Sequence, residues 1–288
     1  MKTILLTSLA LIAFAGNSIL CRLALGNNEI DAVSFTWIRL LSGVLVLLLI
    51  LRLSQFNCLS TSKGSWKASF MLFLYAIAFS FAYLSLDTGT GALILFASVQ
   101  ITIIAAELVT GKKLLLVECL GVFIAFLGFV YLVIPGLSTP SLTGFILMTI
   151  SGVAWGVYTL AGRGSQNPLG DTTYNFVRTL PFVLILGLVS IQESRLSTEG
   201  VLLAVVSGGI TSGIGYMVWY IALPGLSGTQ SAVVQLLVPV IAATGGVLFA
   251  NETLSMRLVL SSLMILGGIL TLISGKHFFV QRANNQTK

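Results

Sequence analysis

Charged residues are scarce in this chain. Asp, Glu, Lys and Arg together make up 8% of 288 residues, where soluble domains carry about 25%, while 56% are hydrophobic and the mean hydropathy is +1.02. A single soluble globule of this size has too little interior to hide that much apolar surface. Histidine is nearly absent, the one copy being His277, and the three cysteines (Cys21, Cys58, Cys119) show no paired spacing. Neither a metal site, a disulfide framework nor any cofactor is expected. A Gly-rich phosphate loop ending in Gly-Lys-Ser/Thr is missing too, which argues against ATP-driven pumping by this polypeptide.

Long apolar runs dominate what is present. Spans of about 20 residues, enough to cross a hydrocarbon core at 1.5 Å per residue, are expected at Met1–Leu25, Ala32–Leu53, Trp66–Leu86, Thr90–Thr110, Leu114–Ile134, Leu142–Gly162, Thr172–Ile191, Gly200–Leu223, Ser231–Ala250 and Leu254–Ser274. The first run, with Lys2 ahead of it and Ala13-Phe14-Ala15 inside it, also has the form of a secretory signal. Its Gly16 matches Gly156 at the offset described next, which favours a retained first span.

Sliding the chain by 140 residues lays one span–turn–span unit on another: Ala92 on Ala232, Ile101 on Ile241, Leu114 on Leu254 and Gly128 on Gly268. The offset is about half the chain. The expected fold is therefore an all-α polytopic membrane protein of ten transmembrane helices, built as two five-helix repeats over 1–136 and 141–275 with a cytoplasmic tail at 276–288. Five is odd, so the second repeat enters the membrane inverted, an architecture that places a binding site near the midplane between repeats. Alternate connectors carry ten Lys and Arg on one side (Lys2, Arg52, Lys63, Lys67, Lys112, Lys113, Arg163, Lys276, Arg282, Lys288) against Arg22, Arg195 and Arg257 on the other. By the positive-inside rule both termini face the cytoplasm. The net charge of +6 thus sets orientation in the inner membrane, and a nucleic-acid partner is not expected.

The segments SFTWIRLLSG with Arg39, FAYLSL, MVWYIAL and QLLVPVIAATGGVLFANETL with Pro239 and Glu252 resemble the EamA family of the drug/metabolite transporter superfamily. That resemblance spans essentially the whole chain. It implies a ten-helix carrier moving a small organic solute, without fixing which one, since members move amino acids, nucleotide-like compounds, vitamins or drugs. The first repeat departs from the pattern, with Val99 in place of the proline and Lys112 in place of the glutamate.

Arg39 lies seven residues inside its span, where a charge is costly and must face protein or water. Two readings stand: an anchor for an anionic group such as a carboxylate, or an arginine whose head snorkels or binds neighbouring carbonyls. Arg178 follows an aromatic–aliphatic pair in the same way, nearer the cytoplasmic face, and carries the same two readings. Glu107, near the end of its span, is either a proton relay or an interfacial, solvated residue.

Candidate cavity-lining residues are Asn17, Ser18, Ser80, Tyr83, Ser98, Gln100, Ser151, Trp155, Tyr158, Ser212, Tyr216, Trp219, Tyr220 and Gln235. Ser80 with Tyr83, Trp155 with Tyr158, and Tyr216 with Trp219 and Tyr220 share helical faces at spacings of three or four. The alternative for each is an interfacial anchor or a bridge between helices; Trp66 is assigned to the interface. Pro239 frees the Gln235 carbonyl mid-span and predicts a kink or hinge. An aromatic lining with amides and arginine suits a small amphipathic solute.

The leading expectation is a secondary exporter of an amino acid or related compound, its direction resting on the resemblance. The alternative is an importer of a vitamin or nucleotide-like compound, and the reading from another class is a channel or membrane scaffold. An enzyme is not expected, because no clustered His, Asp, Glu or Cys shares a depth in the spans.

Overall fold

The computed structural model describes residues 2–53, 63–109, 116–134, 140–190, 195–226 and 234–286, with side chains left out at 107, 133, 189, 190 and from 272 onward. Most of these residues are helical, and among them no strand forms beyond an isolated antiparallel bridge between Ile30 and Leu196. The helices are α1 (Lys2–Gly26), α2 (Ala32–Leu53), α3 (Trp66–Tyr83), α4 (Thr88–Val109), α5 (Leu116–Val133) and α6 (Leu142–Gly162). Then follow α7 (Pro168–Val177), α8 (Leu180–Ser190), α9 (Thr198–Val206), a π-helical stretch (Ser207–Ile214), α10 (Gly215–Ala222), α11 (Leu237–Phe249) and α12 (Met256–Gln286). Six of these units are long and apolar enough to cross a membrane, with α9 to Gly225 counted as one, and three shorter apolar helices accompany them.

Two expected spans are interrupted. The run Thr172–Ile191 divides at Arg178–Thr179 into α7 and α8, because Pro181 has no N–H to offer the Val177 carbonyl. A helical turn at Val234–Gln235 is broken at Leu236 before α11 begins, four residues and fewer ahead of Pro239. This is where the freed Gln235 carbonyl predicts a kink. The expected tail from 276 continues as helix to Gln286.

Outward faces carry exposed Leu, Ile and Phe, such as Leu45, Leu49, Phe123, Phe126, Leu184 and Ile185, while Arg39, Asn17 and Gln100 are buried. That is the reverse of a soluble protein and the pattern of a bundle solvated by lipid. Inside, α1 packs on α9, the π-helix, α10 and α11; α6 packs on α3 and α4; α2 packs on α7, α8, α9 and the π-helix; α4 meets α11, and α5 meets α12.

Connectors sort onto two faces. On the far face, Asp31 meets Arg195, Ser85 shares a hydrogen bond of 2.6 Å with Ser141, Arg257 donates to the Ile134 carbonyl, and Arg22 bridges Asp87 and Glu252. On the near face, where α1 starts, Gly64 donates to Asp171 and Gly225 lies against Thr3.

Candidate functional site

Arg39 is 1% exposed, and its surroundings are built by five elements. Its Nη2 donates to the hydroxyls of Tyr75 on α3 and Tyr216 on α10, both at 3.0 Å, and its Nε donates to Ser212 of the π-helix at 3.1 Å. The guanidinium carbon lies 5.2 Å from the ring centre of Tyr75 and 4.9 Å from that of Phe79. Asn17 of α1 donates to the Tyr75 hydroxyl at 3.0 Å and accepts from Ser207 at 2.6 Å. The Tyr75 and Tyr216 hydroxyls are themselves 3.0 Å apart.

Removing an ion from water costs several kcal/mol even after relaxation. Three hydrogen bonds to a charged donor, at about 1.5–3 kcal/mol each, and two cation–π contacts, at about 0.5–2 kcal/mol each, are of the size needed to offset that cost. The guanidinium therefore stays charged, as arginine does in proteins. Among the described residues no carboxylate lies within ion-pair distance of it, both ion pairs belonging to Arg22. The centre of the bundle is cationic.

Around the guanidinium stands an aromatic group. Trp155 lies 4.5 Å from Tyr216 and 4.9 Å from Tyr75 between ring centres, Phe14 of α1 touches both Trp155 and Trp219, and Tyr158 stacks on Tyr220 at 5.8 Å. Arg39 Nη1, Trp155 Nε1 and Trp219 Nε1 are buried without a hydrogen-bond partner. Each can only donate, whereas the Tyr158 hydroxyl, also buried without a partner, can donate or accept.

The candidates from sequence divide by place. Asn17, Arg39, Trp155, Tyr158, Ser212, Tyr216, Trp219 and Tyr220 join this group, Ser151 donates to the Tyr75 carbonyl at 3.0 Å, and Ser80 pairs with Thr36 at 2.8 Å. Ser18 is buried on α1, and Tyr83 sits beyond it, donating to the Thr88 carbonyl at 3.3 Å. Ser98 turns back onto the Ile94 carbonyl at the α4–α6 contact, where a methyl on Gly152 would meet its Cβ at 2.6 Å. Gln100 and Gln235 are buried and have interactions of their own. Arg178 is not brought to the centre; it covers the Trp66 ring at 5.8 Å and donates to the Lys63 carbonyl. The Glu107 side chain and the position of Lys112 lie outside the described residues.

Sequence reading missed Tyr75, the hub of the network, although Tyr75, Phe79 and Tyr83 recur every four residues and so share one face of α3. It also missed the π-helix, whose wider turn sets Ser207, Thr211 and Ser212 towards α1 and α2 together. Such turns recur at functional sites. The stretch Ser207-Gly208-Gly209 is its visible signal, because α2 passes so close that a methyl on Gly208 would meet the Arg39 carbonyl carbon at 2.6 Å.

At the far face, α11 ends where Asn251 adopts φ 51°, a left-handed conformation that Asn tolerates. The chain folds back so that Glu252 N–H reaches the Gly246 carbonyl at 3.1 Å and the carboxylate crosses Gly246 to the start of α4. There it accepts from Thr88 N–H at 2.9 Å, from the Thr88 hydroxyl at 3.0 Å and from Arg22 at 3.1 Å. An anion at a helix N-terminus is favoured by the unpaired amides and the dipole.

Two aspartates 140 residues apart tie opposite faces. Asp31 caps α2 by accepting from Val33 and Ser34 and takes the Arg195 N–H at 3.1 Å, while Asp171 takes the Gly64 N–H at 2.8 Å beside Asn175, which takes that of Ser65 at 3.0 Å. One tie joins the starts of α2 and α9; the other joins the starts of α7 and α3.

A Pseudomonas aeruginosa protein of uncharacterised function is 48% identical over 273 residues, covering 95% of each chain. An uncharacterised transporter of Archaeoglobus fulgidus is 27% identical over 96% of this chain and 99% of its own, and one of Bacillus subtilis is 28% identical over 63% of each. A crystal structure superposes with a TM-score of 0.61 at 18% identity, covering 92% of this chain and 95% of that one, which shows a shared fold. The model of the EamA-like transporter family matches residues 142–274, the half holding α6 to α12. An integral, multi-pass membrane protein, the chain belongs to the EamA-like transporter family.

Proposed function

We propose that this chain is a secondary carrier that moves a small organic solute bearing a carboxylate, an amino acid or related compound, outward across the inner membrane by alternating access. The carrying observation is Arg39: a charged side chain at the centre of the bundle, fixed by three hydrogen bonds, with Nη1 still unpartnered, as are the indole N–H of Trp155, whose ring packs on Tyr75 and Tyr216, and that of Trp219, which packs on Phe14. Donors that the protein leaves unsatisfied in a buried site are matched by acceptors on a solute. No group member is more than 5% exposed, so a solute reaches it only when one face opens.

The helix pairings support an inverted repeat of ten spans, with α7 and α8 counted as one span and α9 to α10 as another. Exchanging each span with the one five places on turns the α1–α10 contact into α6–α3, α1–α11 into α6–α4, and α2–α9 into the contact of α7 and α8 with α3. The contacts α4–α11 and α5–α12 become themselves. Asp31 and Asp171 exchange likewise, each tying its own face. The bias of basic residues favours the near face as cytoplasmic.

Purified protein in liposomes, given a pool of labelled amino acids, organic anions, nucleosides and vitamins, tests the reading by counterflow. Saturable exchange of a carboxylate-bearing solute, lost in Arg39→Ala, is expected. Linear flux without saturation would instead indicate a channel, and no flux of any solute a scaffold. The stacked Tyr158 and Tyr220 also suit a flat vitamin or nucleobase-like solute carried inward; uptake into cells lacking their own system separates that reading from export.

A further inference from the structure

We infer that the solute is an organic anion without an ammonium group: a carboxylate on an apolar body, in preference to the corresponding zwitterionic amino acid. This rests on the carrier reading above and keeps its carboxylate-bearing solute, but sets the amino acids named there behind their relatives that lack the ammonium.

The unpartnered nitrogens in the central group, a guanidinium Nη1 and two indole Nε1 atoms, are donors that cannot accept, and the unpartnered Tyr158 hydroxyl can accept but brings no charge to match an ammonium. The Tyr75 and Tyr216 hydroxyls are committed to Arg39 and to each other. An ammonium placed two bonds from a carboxylate would lie within the field of the same guanidinium. In a water-poor interior like charges at such a distance disfavour each other far more than in water. To bind well it would need a carboxylate of the protein, and the described acids stand elsewhere. Asp31 and Asp171 are engaged at α2 and α7, and Asp87 and Glu252 at the far-face clamp. Glu118 lies in the first turn of α5, Glu199 in that of α9, and Glu29 in the connector before α2. The apolar remainder of the solute has Phe14, Phe79, Trp155 and Trp219 to lie against, surfaces that gain from burial whether or not the solute is aromatic.

Two matched series of labelled probes separate the charges on constant skeletons: 3-phenylpropionate, phenylalanine and 2-phenylethylamine; and 4-methylpentanoate, leucine and 3-methylbutylamine. Equilibrium binding to the full-length protein in nanodiscs, read by scintillation proximity, needs no transport and so is independent of the counterflow result. In at least one series the carboxylate is expected to bind about tenfold or more tighter than its amino acid, because the ammonium is disfavoured beside the guanidinium, and the amine is expected not to compete. Arg39→Gln should abolish the preference, and Arg39→Lys should restore part of it. Trp219→Phe breaks no hydrogen bond within the protein, so it serves if the Arg39 variants do not fold; it should weaken the carboxylates and leave the amines unchanged. The proposal is overturned if the amino acids bind as tightly as the carboxylates, if Trp219→Phe affects all members alike, or if no probe binds. Should counterflow of another solute persist in that last case, the carrier reading stands without it.

Discussion

Gly208→Ala is the substitution with the sharpest expected consequence. The π-helix crosses α2 at this glycine, and a methyl there would sit 2.6 Å from the Arg39 carbonyl carbon, with the oxygen and the Ser42 hydroxyl closer still. Carbon atoms in contact prefer about 3.5–4.0 Å, so the two backbones must separate by roughly 1 Å. Neither obstacle is the flexible end of a long side chain. Overpacking of this kind costs about 1–3 kcal/mol and occasionally more, and the backbone obstacle puts Gly208 at the upper end. The same displacement would lengthen the Arg39–Ser212 bond from 3.1 Å past hydrogen-bonding range. Thermal unfolding in detergent, followed by tryptophan fluorescence, should show a lowered midpoint, and transport should fall with it. Gly267→Ala is the control: nothing lies within 4 Å of its added methyl, and the helix gains about 0.5–1 kcal/mol from losing a glycine. If Gly208→Ala unfolds at or above the parent's midpoint, the close crossing of α2 and the π-helix is refuted.

Other expectations follow from the two faces. Glu252→Gln keeps the shape but removes the ion pair to Arg22 and the charge at the start of α4, a loss of about 1–3 kcal/mol. With Cys58 and Cys119 replaced by Ser, labelling of the buried Cys21 by a membrane-impermeant maleimide should quicken; an unchanged rate would count against a far-face clamp. In the same background Asp31→Asn should raise Cys21 labelling and Asp171→Asn should not, since they loosen opposite faces. Equal effects would undo that distinction. Pro239→Ala returns an N–H to the Gln235 carbonyl, and is expected to raise the unfolding midpoint while slowing counterflow, by closing the break at Leu236. Faster counterflow would refute a hinge there.

Apolar length and charge placement made the helices legible from sequence, because a residue's solubility in lipid is a local property. Arg39 was legible for the same reason: a lone charge seven residues inside an apolar run must be paired or used. Tyr75 was not, since a tyrosine costs little in a membrane wherever it stands, and only the approach of α1, α2 and α10 makes its hydroxyl a junction. Arg178 shows the converse. Its sequence context imitates that of Arg39, yet Pro181 ends α7 one turn too early and leaves the guanidinium over Trp66 at the surface. The role of Glu252 was invisible because its partners lie 164 residues away at Thr88 and 230 away at Arg22.

On the carrier reading, a buried site that neither face reaches needs a fold in which opening either side is cheap and opening both is not. The ties suit that requirement. The Asp31 tie and the Asp171–Asn175 tie are carboxylate or amide oxygens holding backbone N–H groups of the other half of the chain, bonds of about 1.5–3 kcal/mol when charged, and the far face adds the Arg22 ion pairs. On that carrier reading each open form is a minor state, about 0.1–10% in general, reachable by thermal motion. Breaking both adds the two costs, making a through-channel rarer by the product of the two small populations. A solute that binds Arg39 more tightly in one open form shifts the balance by its differential affinity alone. On the inverted-repeat reading Asp31 and Asp171 occupy equivalent positions, so the same kind of bond stands at both faces, and the Arg22 clamp gives the far face the higher cost of opening.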